Sequence, residues 1–311
     1  MKTNAQAKSL VIDQDSPIWK AIAEDNLSKL EELVASGTPL NTESKDGIRP
    51  VHYAAKKGAL ECLKYIIKKG GVSVAELDRF EYQPLHYAAF EGCLNTTEFL
   101  VDYGACIEAC DLLNKQTPLH MAASWGELAI VKYLVEHKAN INARDSHGNQ
   151  TPLHLAAMEG NTDAASYLIE QGSDIAAYGG YNKQTPLHMT ALGGHVSTIK
   201  LLLNSAKDKG IDIINLQDID GNTALHLAFF EAKNEAADCL IENGADITIT
   251  NSQGVTAVDI AQNAGFLNVL KQAVENPNPY LNESGEGVAP SCLSNDDEAD
   301  LAGSINEFDH S

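Results

Sequence analysis

The chain has 311 residues, 44% of them hydrophobic, and a formal net charge of −21 at pH 7. Acidity on this scale repels nucleic-acid phosphates and anionic membrane surfaces, so neither is expected as a direct partner. No apolar run approaches the length of a membrane span, and the first residues lack the apolar stretch of a signal peptide. We therefore expect a soluble protein of the cytoplasm.

A seven-residue phrase recurs six times from residue 49 onward. The copies read RPVHYAA at 49–55, QPLHYAA at 83–89, TPLHMAA at 117–123, TPLHLAA at 151–157, TPLHMTA at 185–191 and TALHLAF at 223–229. The histidines of the first five copies are evenly spaced, and the last interval, from His188 to His226, is slightly longer. A fixed period of this length predicts a solenoid, since each unit can bury its apolar face only against its neighbours.

The fourth copy shows how one unit is expected to fold. Thr151 and Pro152 favour a helix start, because the hydroxyl can cap free amides and proline is tolerated in the first turn. Gly160 favours the end of that helix. Apolar residues at helical spacing predict a second helix over 163–171, which Gly172 ends. A short extended hairpin then leads to the next Thr-Pro.

The whole pattern resembles the ankyrin-repeat family. The third copy continues as TPLHMAASWGELAIVKYLVEHKANINARD, which is close to the family consensus over its whole length. The resemblance covers residues 16–275. It implies an all-α repeat solenoid of helix–turn–helix units joined by short β-hairpins, with about six full repeats and two caps.

Two atypical copies bound the full repeats. Trp19 stands in the histidine position before the first phrase, and Asp259 stands in that position after the last. We interpret residues 16–41 and 251–275 as capping units, because a solenoid needs atypical end repeats with a polar outer face. Between the fifth and sixth units, four extra residues within 204–215 predict a longer outer helix or loop.

The repeats are flanked by two polar segments. Residues 1–15 are interpreted as a short leader. Residues 276–311 are acidic and rich in small residues, with no lysine or arginine, and are expected to form a disordered tail.

The repeated histidines admit two interpretations. Imidazole is a common metal ligand and general base, but no cysteine or carboxylate accompanies each histidine at ligand spacing. The family resemblance instead implies that each ring binds the hydroxyl and backbone of its own loop. We predict this structural role, with no metal and no cofactor, for His52, His86, His120, His154, His188 and His226.

The six cysteines show no paired framework. Cys106 and Cys110 are the only close pair, and a zinc site would need two further soft ligands nearby. Reduced structural thiols are therefore expected.

The resemblance also implies where a partner binds. In ankyrin proteins the two residues before the glycine that follows the first helix point into a concave groove. That register holds an apolar set, here called the groove row: Phe90, Trp125, Met158, Leu192 and Phe230. The hairpin tips add a second set, the tip row: Phe80, Tyr82, Leu112, Leu113, Tyr178 and Tyr181. Such rows are typical of interaction surfaces, although some members could instead cover neighbouring helices.

These observations favour a non-enzymatic, monomeric adaptor that binds a partner protein through its groove and hairpin tips. Phosphate-binding, zinc-protease and serine-hydrolase motifs are absent from the sequence, and repeats and tail occupy nearly all of it. One alternative is a regulatory module of an enzyme complex. Another is a secreted bacterial effector acting in a host cytoplasm, with the end of the tail, 307–309, in an export signal.

Asn142 is a candidate modification site. It lies in LVEHKANINARD, which resembles the hairpin asparagines that an asparaginyl hydroxylase modifies in many ankyrin proteins. The alternative is a structural asparagine of the consensus.

Overall fold

The computed structural model describes residues 16–45 and 47–263. The predicted leader 1–15, the last part of the predicted C-terminal cap, 264–275, and the acidic tail 276–311 lie outside the described residues. The described chain is built from α-helices joined by turns, as the repeat pattern predicts.

The helices alternate between an inner and an outer layer. The inner layer contains α1 Pro17–Ala23, α3 Pro50–Lys57, α5 Pro84–Phe90, α7 Pro118–Trp125, α9 Pro152–Met158, α11 Pro186–Gly193, α13 Ala224–Phe230 and α15 Ala257–Asn263. The outer layer contains α2 Leu27–Ala35, α4 Leu60–Lys68, α6 Leu94–Asp102, α8 Leu128–Glu136, α10 Thr162–Glu170, α12 Val196–Asp208 and α14 Asn234–Glu242. Each inner helix from α1 to α13 packs against the next inner helix and against the outer helix of its own unit. The all-helical solenoid is confirmed.

The inner helices begin and end as their sequence dictates. Thr151 is extended, with φ −96° and ψ 166°, and Pro152 occupies the first turn of α9, where a missing N–H costs nothing. Gly126 follows α7 in the left-handed conformation, with φ +73°, which a residue without Cβ adopts at little cost. The chain can therefore reverse direction within a short turn and start the outer helix.

Small residues set the spacing of the inner layer. Ala122, Ala123, Ala156 and Ala157 are fully buried, so adjacent inner helices approach closely. Larger aliphatic side chains such as Leu153 are equally buried between the two layers. Small and large apolar residues of each unit therefore build a core that continues from one repeat to the next.

The irregular fifth unit lengthens an outer helix. The α12 helix has 13 residues, whereas α10 on one side and α14 on the other have nine. The added turn lets the Lys209 ammonium donate to the carbonyl oxygen of Ile169 in the preceding unit, at 3.2 Å. The predicted effect of the four extra residues in 204–215 is confirmed as helix extension.

The connections between units are tight turns rather than paired strands. Within the described residues, β-pairing is limited to isolated bridges between Gly179 and Gln184 and between Thr250 and Thr256. The expected β-hairpins are thus reduced to single bridges, because buried carboxylates replace most of the ladder bonds in the other turns.

Backbone hydrogen bonds join successive tips into one edge. The donors and acceptors are Leu112 to Phe80 (3.0 Å), Ser146 to Asn114 (2.7 Å), Ile219 to Asn182 (2.9 Å) and Ser252 to Asp220 (2.9 Å). The tip that contains Ser146 and the tip that contains Asn182 approach each other closely through their backbones. A Cβ on Gly148, whose φ is +88°, would lie 2.6 Å from the Tyr181 nitrogen.

We expect Gly148→Ala to destabilise the protein more than Gly172→Ala. Both glycines have strongly positive φ, but a Cβ on Gly172 would meet nothing within 4 Å. Gly172→Ala therefore costs backbone strain of about 1 kcal/mol, whereas Gly148→Ala adds an overpacking cost of about 1–3 kcal/mol. Urea unfolding followed by circular dichroism measures both. Equal urea midpoints for the two variants would contradict this prediction, because they would show that the tips can move apart at no cost in free energy.

Candidate interaction surface

The six repeated histidines link each unit to the next. In the fourth unit, His154 Nδ1 accepts hydrogen bonds from the Thr151 backbone N–H (3.1 Å) and from the Thr151 hydroxyl (2.8 Å). Its Nε2 lies 3.1 Å from the carbonyl oxygen of Gln184 in the following turn. Since a carbonyl can only accept, the proton resides on Nε2. Each ring thus caps its own helix and donates across the repeat boundary.

The contact across the repeat boundary recurs along the array, whereas the hydroxyl contact is missing at His52 and His86, which follow Arg49 and Gln83 instead of threonine. Nε2 of the other five histidines lies 2.9–3.2 Å from a carbonyl of a later turn: His52 to Glu76, His86 to Ala109, His120 to Gln150, His188 to Asn222 and His226 to Val255. Burial lowers the pKa of all six, to about 4 for His52 and His154, because the protein interior disfavours the imidazolium form. These rings are placed to support the fold rather than to transfer protons to a ligand.

Asp259 performs half of this role. Its carboxylate accepts from the Thr256 backbone N–H at 2.9 Å and from the Thr256 hydroxyl at 2.7 Å. A carboxylate has no proton to donate across a repeat boundary. The histidine position therefore keeps its capping function in α15 and loses its bridging function.

A set of buried aspartates shapes the turns and was not singled out from the sequence. Asp145, for example, accepts from the Gln150 backbone N–H at 2.8 Å. The set comprises Asp78, Asp111, Asp145 and Asp218, and every member accepts backbone N–H groups of its own turn. The signal was present: an aspartate stands eight or nine residues before four of the six histidines. Because the distance from aspartate to histidine varies, the aspartates do not recur at the fixed period of the histidines.

The groove row lies at the C-terminal ends of the inner helices. Phe90, Trp125, Met158 and Leu192 are half-buried, whereas Phe230 is 73% exposed. The Phe90 and Trp125 rings pack directly together, with centroids 4.4 Å apart and planes tilted by 56°. The row is therefore partly covered at one end and open at the other.

Charged groups surround the aromatic pair. The Lys56 ammonium lies 5.7 Å from the Phe90 centroid and 3.4 Å from the Glu91 carboxylate. Burial lowers the pKa of Lys56, and its side chain is only 11% exposed. Lys56 therefore folds over Phe90, a contact between neighbouring units that was not predicted from the sequence.

The tip row divides into covered and exposed members. Phe80 is half-buried under Arg79, whose guanidinium lies 4.7 Å from the ring centroid. Tyr82 packs against His86 and the core. The exposed members are Leu112, Leu113, Tyr178 and Tyr181, and Tyr181 is the most open at 70%.

Tyr178 and Tyr181 also line an open depression of about 730 Å³ between the tips of the later units. Its other lining residues include Gly148, Asn149, Gln217 and Ile219. Ile219 is itself exposed, so this depression combines three large apolar side chains with backbone and amide groups. Ile219 is not a member of the predicted tip row.

Asn142 already has a structural contact. Its side-chain oxygen accepts a hydrogen bond from the Asp174 backbone N–H of the next unit at 3.1 Å. The residue is exposed, so hydroxylation there stays a prediction.

Other chemistry finds no support in the described part of the chain. Over residues 16–45 and 47–263, no group of three or more histidine, cysteine or acidic side chains could hold a metal ion. The described cysteines, Cys62, Cys93, Cys106, Cys110 and Cys239, are free thiols. None of the helices seen in these ranges combines the length and apolar character needed to cross a membrane.

Comparison with known proteins defines the class. A family model described as ankyrin repeats matches residues 18–111, 106–179 and 176–251. The chain belongs to the ankyrin-repeat family. Domains of this family are generally protein–protein interaction modules and are typically not enzymes.

Similar sequences and structures extend the comparison. Alpha-latrotoxin-Lhe1a of Latrodectus hesperus is 34% identical over 107 residues, which cover 33% of this chain and 8% of the toxin. Alpha-latrotoxin-Lt1a of Latrodectus tredecimguttatus is 42% identical over 66 residues, covering 21% of this chain and 5% of the toxin. The matches thus span less than a tenth of these relatives.

Two solved structures share the architecture. The ankyrin repeat domain of human ASB11 aligns with a TM-score of 0.62 at 25% identity, covering 74% of this chain and 99% of that one. The ankyrin repeat domain of Bcl-3, a member of the IkappaB protein family, aligns with a TM-score of 0.56 at 23% identity, covering 83% of this chain and 98% of that one. The second likeness concerns the fold alone.

Proposed function

We propose that this protein is a non-enzymatic adaptor that binds a partner protein through the groove row and the exposed part of the tip row. The observation that carries the proposal is the exposure of large apolar side chains in both rows: Phe230 of the groove row and Tyr181 and Leu113 of the tip row are all more than half exposed. Aromatic side chains in contiguous rows are common anchors of protein interfaces. The linked tips and the packed inner helices hold these anchors on a rigid scaffold, which lowers the entropy lost on binding.

The electrostatics favour a protein ligand over a nucleic acid. The chain carries 43 acidic against 22 basic residues, so a phosphate backbone would be repelled. A cytoplasmic location is part of the proposal, supported by the free thiols, since unpaired cysteines are usual in reducing compartments.

We expect Trp125→Ala and Phe230→Ala to weaken partner binding by about 2 kcal/mol each, the cost typical of aromatic hot spots. Their effects on stability should differ. Phe230→Ala removes an exposed ring and should leave the melting temperature nearly unchanged, whereas Trp125→Ala also removes the contact with Phe90, worth about 0.5–1.5 kcal/mol. Partner capture, then titration of purified variants by calorimetry, measures binding, and thermal denaturation measures stability.

The matched control is Tyr103→Ala. Tyr103 is exposed but lies at the end of the outer helix α6, away from both rows. A partner that binds this variant and wild type equally, but not Trp125→Ala, supports the proposal. A partner lost only with Tyr103→Ala would place the interface on the outer layer and contradict it.

A further inference from the structure

We infer that the Phe90–Trp125 pair, flanked by Glu91 and Glu127, is a subsite for a cationic side chain of the partner, an arginine or lysine within a basic segment. This inference rests on the proposed function and gives the groove partner a chemical class. It is argued from the arrangement of two rings and two carboxylates at the ends of α5 and α7.

The aromatic part of the subsite is preformed. Phe90 and Trp125 belong to adjacent inner helices, and their ring centroids are 4.4 Å apart. Each ring is half-buried, so part of the pair faces outward. Aromatic faces carry a negative quadrupole that attracts cations within about 6 Å, and tryptophan is the strongest of them.

The two carboxylates add charge at the same place. Glu91 follows Phe90 at the end of α5, and Glu127 stands two residues after Trp125. The Glu127 carboxylate lies against Gly92, where a methyl group would collide with it. Burial and then the charge of Glu91 raise the pKa of Glu127. The charge that acts on Glu127 is thus the like charge of the neighbouring Glu91. A cation brought by a partner would relieve this repulsion between the two carboxylates.

Lys56 shows that the subsite accepts a cation. Its ammonium lies over Phe90 and beside Glu91, and its stem is buried in the groove. This internal lysine is paired with one of the two carboxylates. Glu127 supplies the charge for a second cation, which comes from outside and stacks on the outward part of the rings. A guanidinium suits this position well, since it is planar, stacks on aromatic faces and is more weakly hydrated than an ammonium.

The wider charge distribution favours the same class of partner. With a net charge of −21, the protein attracts a basic segment over distances beyond contact and repels an acidic one. The interaction should consequently weaken as ionic strength rises.

The test uses the full chain and two acetylated, amidated probe peptides, tetra-arginine and its uncharged isostere tetra-citrulline. Binding is followed by NMR through the indole N–H signals of Trp19 and Trp125, with Trp125→Phe identifying the second. We expect tetra-arginine to shift the Trp125 signal and leave the buried Trp19 signal in place. Tetra-citrulline should shift neither. Glu127→Gln should weaken tetra-arginine binding at least fivefold.

The control is Glu235→Gln, which removes the same charge from an exposed position on the outer helix α14 and should change binding less than twofold. Melting temperatures verify that both variants fold. Equal weakening by the two variants, or equal binding of the two peptides, would overturn the inference. A partner that binds through Trp125 with an acidic or neutral segment would also overturn it while leaving the adaptor function intact.

Discussion

Lowering the pH from 7.5 to 5 is expected to reduce the free energy of unfolding by several kcal/mol. The six bridging histidines are neutral in the fold, and their pKa values lie below the ordinary 6.5, at about 4 for His52 and His154. At His52 and His154, between about pH 6.5 and 4, the unfolded chain therefore binds protons that the folded chain excludes. His52 and His154 each lower the stability by about 1.4 kcal/mol per pH unit as the pH falls through this window, and the other four histidines act in the same direction. Above about pH 6.5 the neutral histidines make their full contribution to the free energy of unfolding.

Urea unfolding at several pH values measures this slope. His154→Gln should reduce the stability at pH 7.5, because it removes the bond to Gln184, and should also make the pH dependence shallower. His137→Gln is the control, since that side chain is exposed and contacts only its own helix at Tyr133. A stability that stays constant from pH 7.5 to 5 would contradict the role assigned to the histidines.

We expect Leu153→Ala to cost about 2–5 kcal/mol of stability, because it leaves a cavity among side chains that cannot collapse around it. Leu153 is fully buried in the central unit, between Leu119 and Leu187 of the neighbouring units. Stability in a solenoid is carried by contacts between neighbours, so the damage should concentrate at both faces of the fourth unit.

Hydrogen exchange can locate this effect. Amides of α9 and of the adjoining inner helices α7 and α11 should lose protection first, while α1 retains more. Leu113→Ala serves as the matched leucine control, because that side chain is more than half exposed. Surface substitutions of this kind usually change stability by less than about 0.5 kcal/mol. If the two leucine variants melt alike, the packing described for Leu153 is wrong.

Much of the fold was predictable from sequence because its information is local and repeated. Thr151 and Pro152 specify a helix start, and Gly126 specifies an end, without reference to distant residues. The histidine spacing then sets the register of every unit. The longer interval between His188 and His226 indicated an insertion, and α12 accommodates it as one extra helical turn.

The details of the surface were less accessible. Lys56 and Phe90 lie one full repeat apart in the sequence, and only the stacking of two units brings them together. Gly148 resembles an ordinary turn glycine until the next tip is placed against it. Tyr82 and Phe80 occupy neighbouring tip positions, yet Tyr82 packs on the core because its ring can reach His86. Contacts between units decide these outcomes, and they are not encoded within any single repeat.

The hydrogen bonds of the bridging histidines all run from one unit to the next, and this direction matters while the chain is being synthesised. Each bridging ring donates toward the turn of the unit that follows it, as His154 does to Gln184. During synthesis the chain emerges from its N-terminus, so a newly made repeat holds an unmet imidazole proton until its successor arrives. Asp259, which carries no such proton, stands where the series of donors stops. The residue at the repeated histidine position therefore determines whether a unit needs its successor to complete its hydrogen bonds.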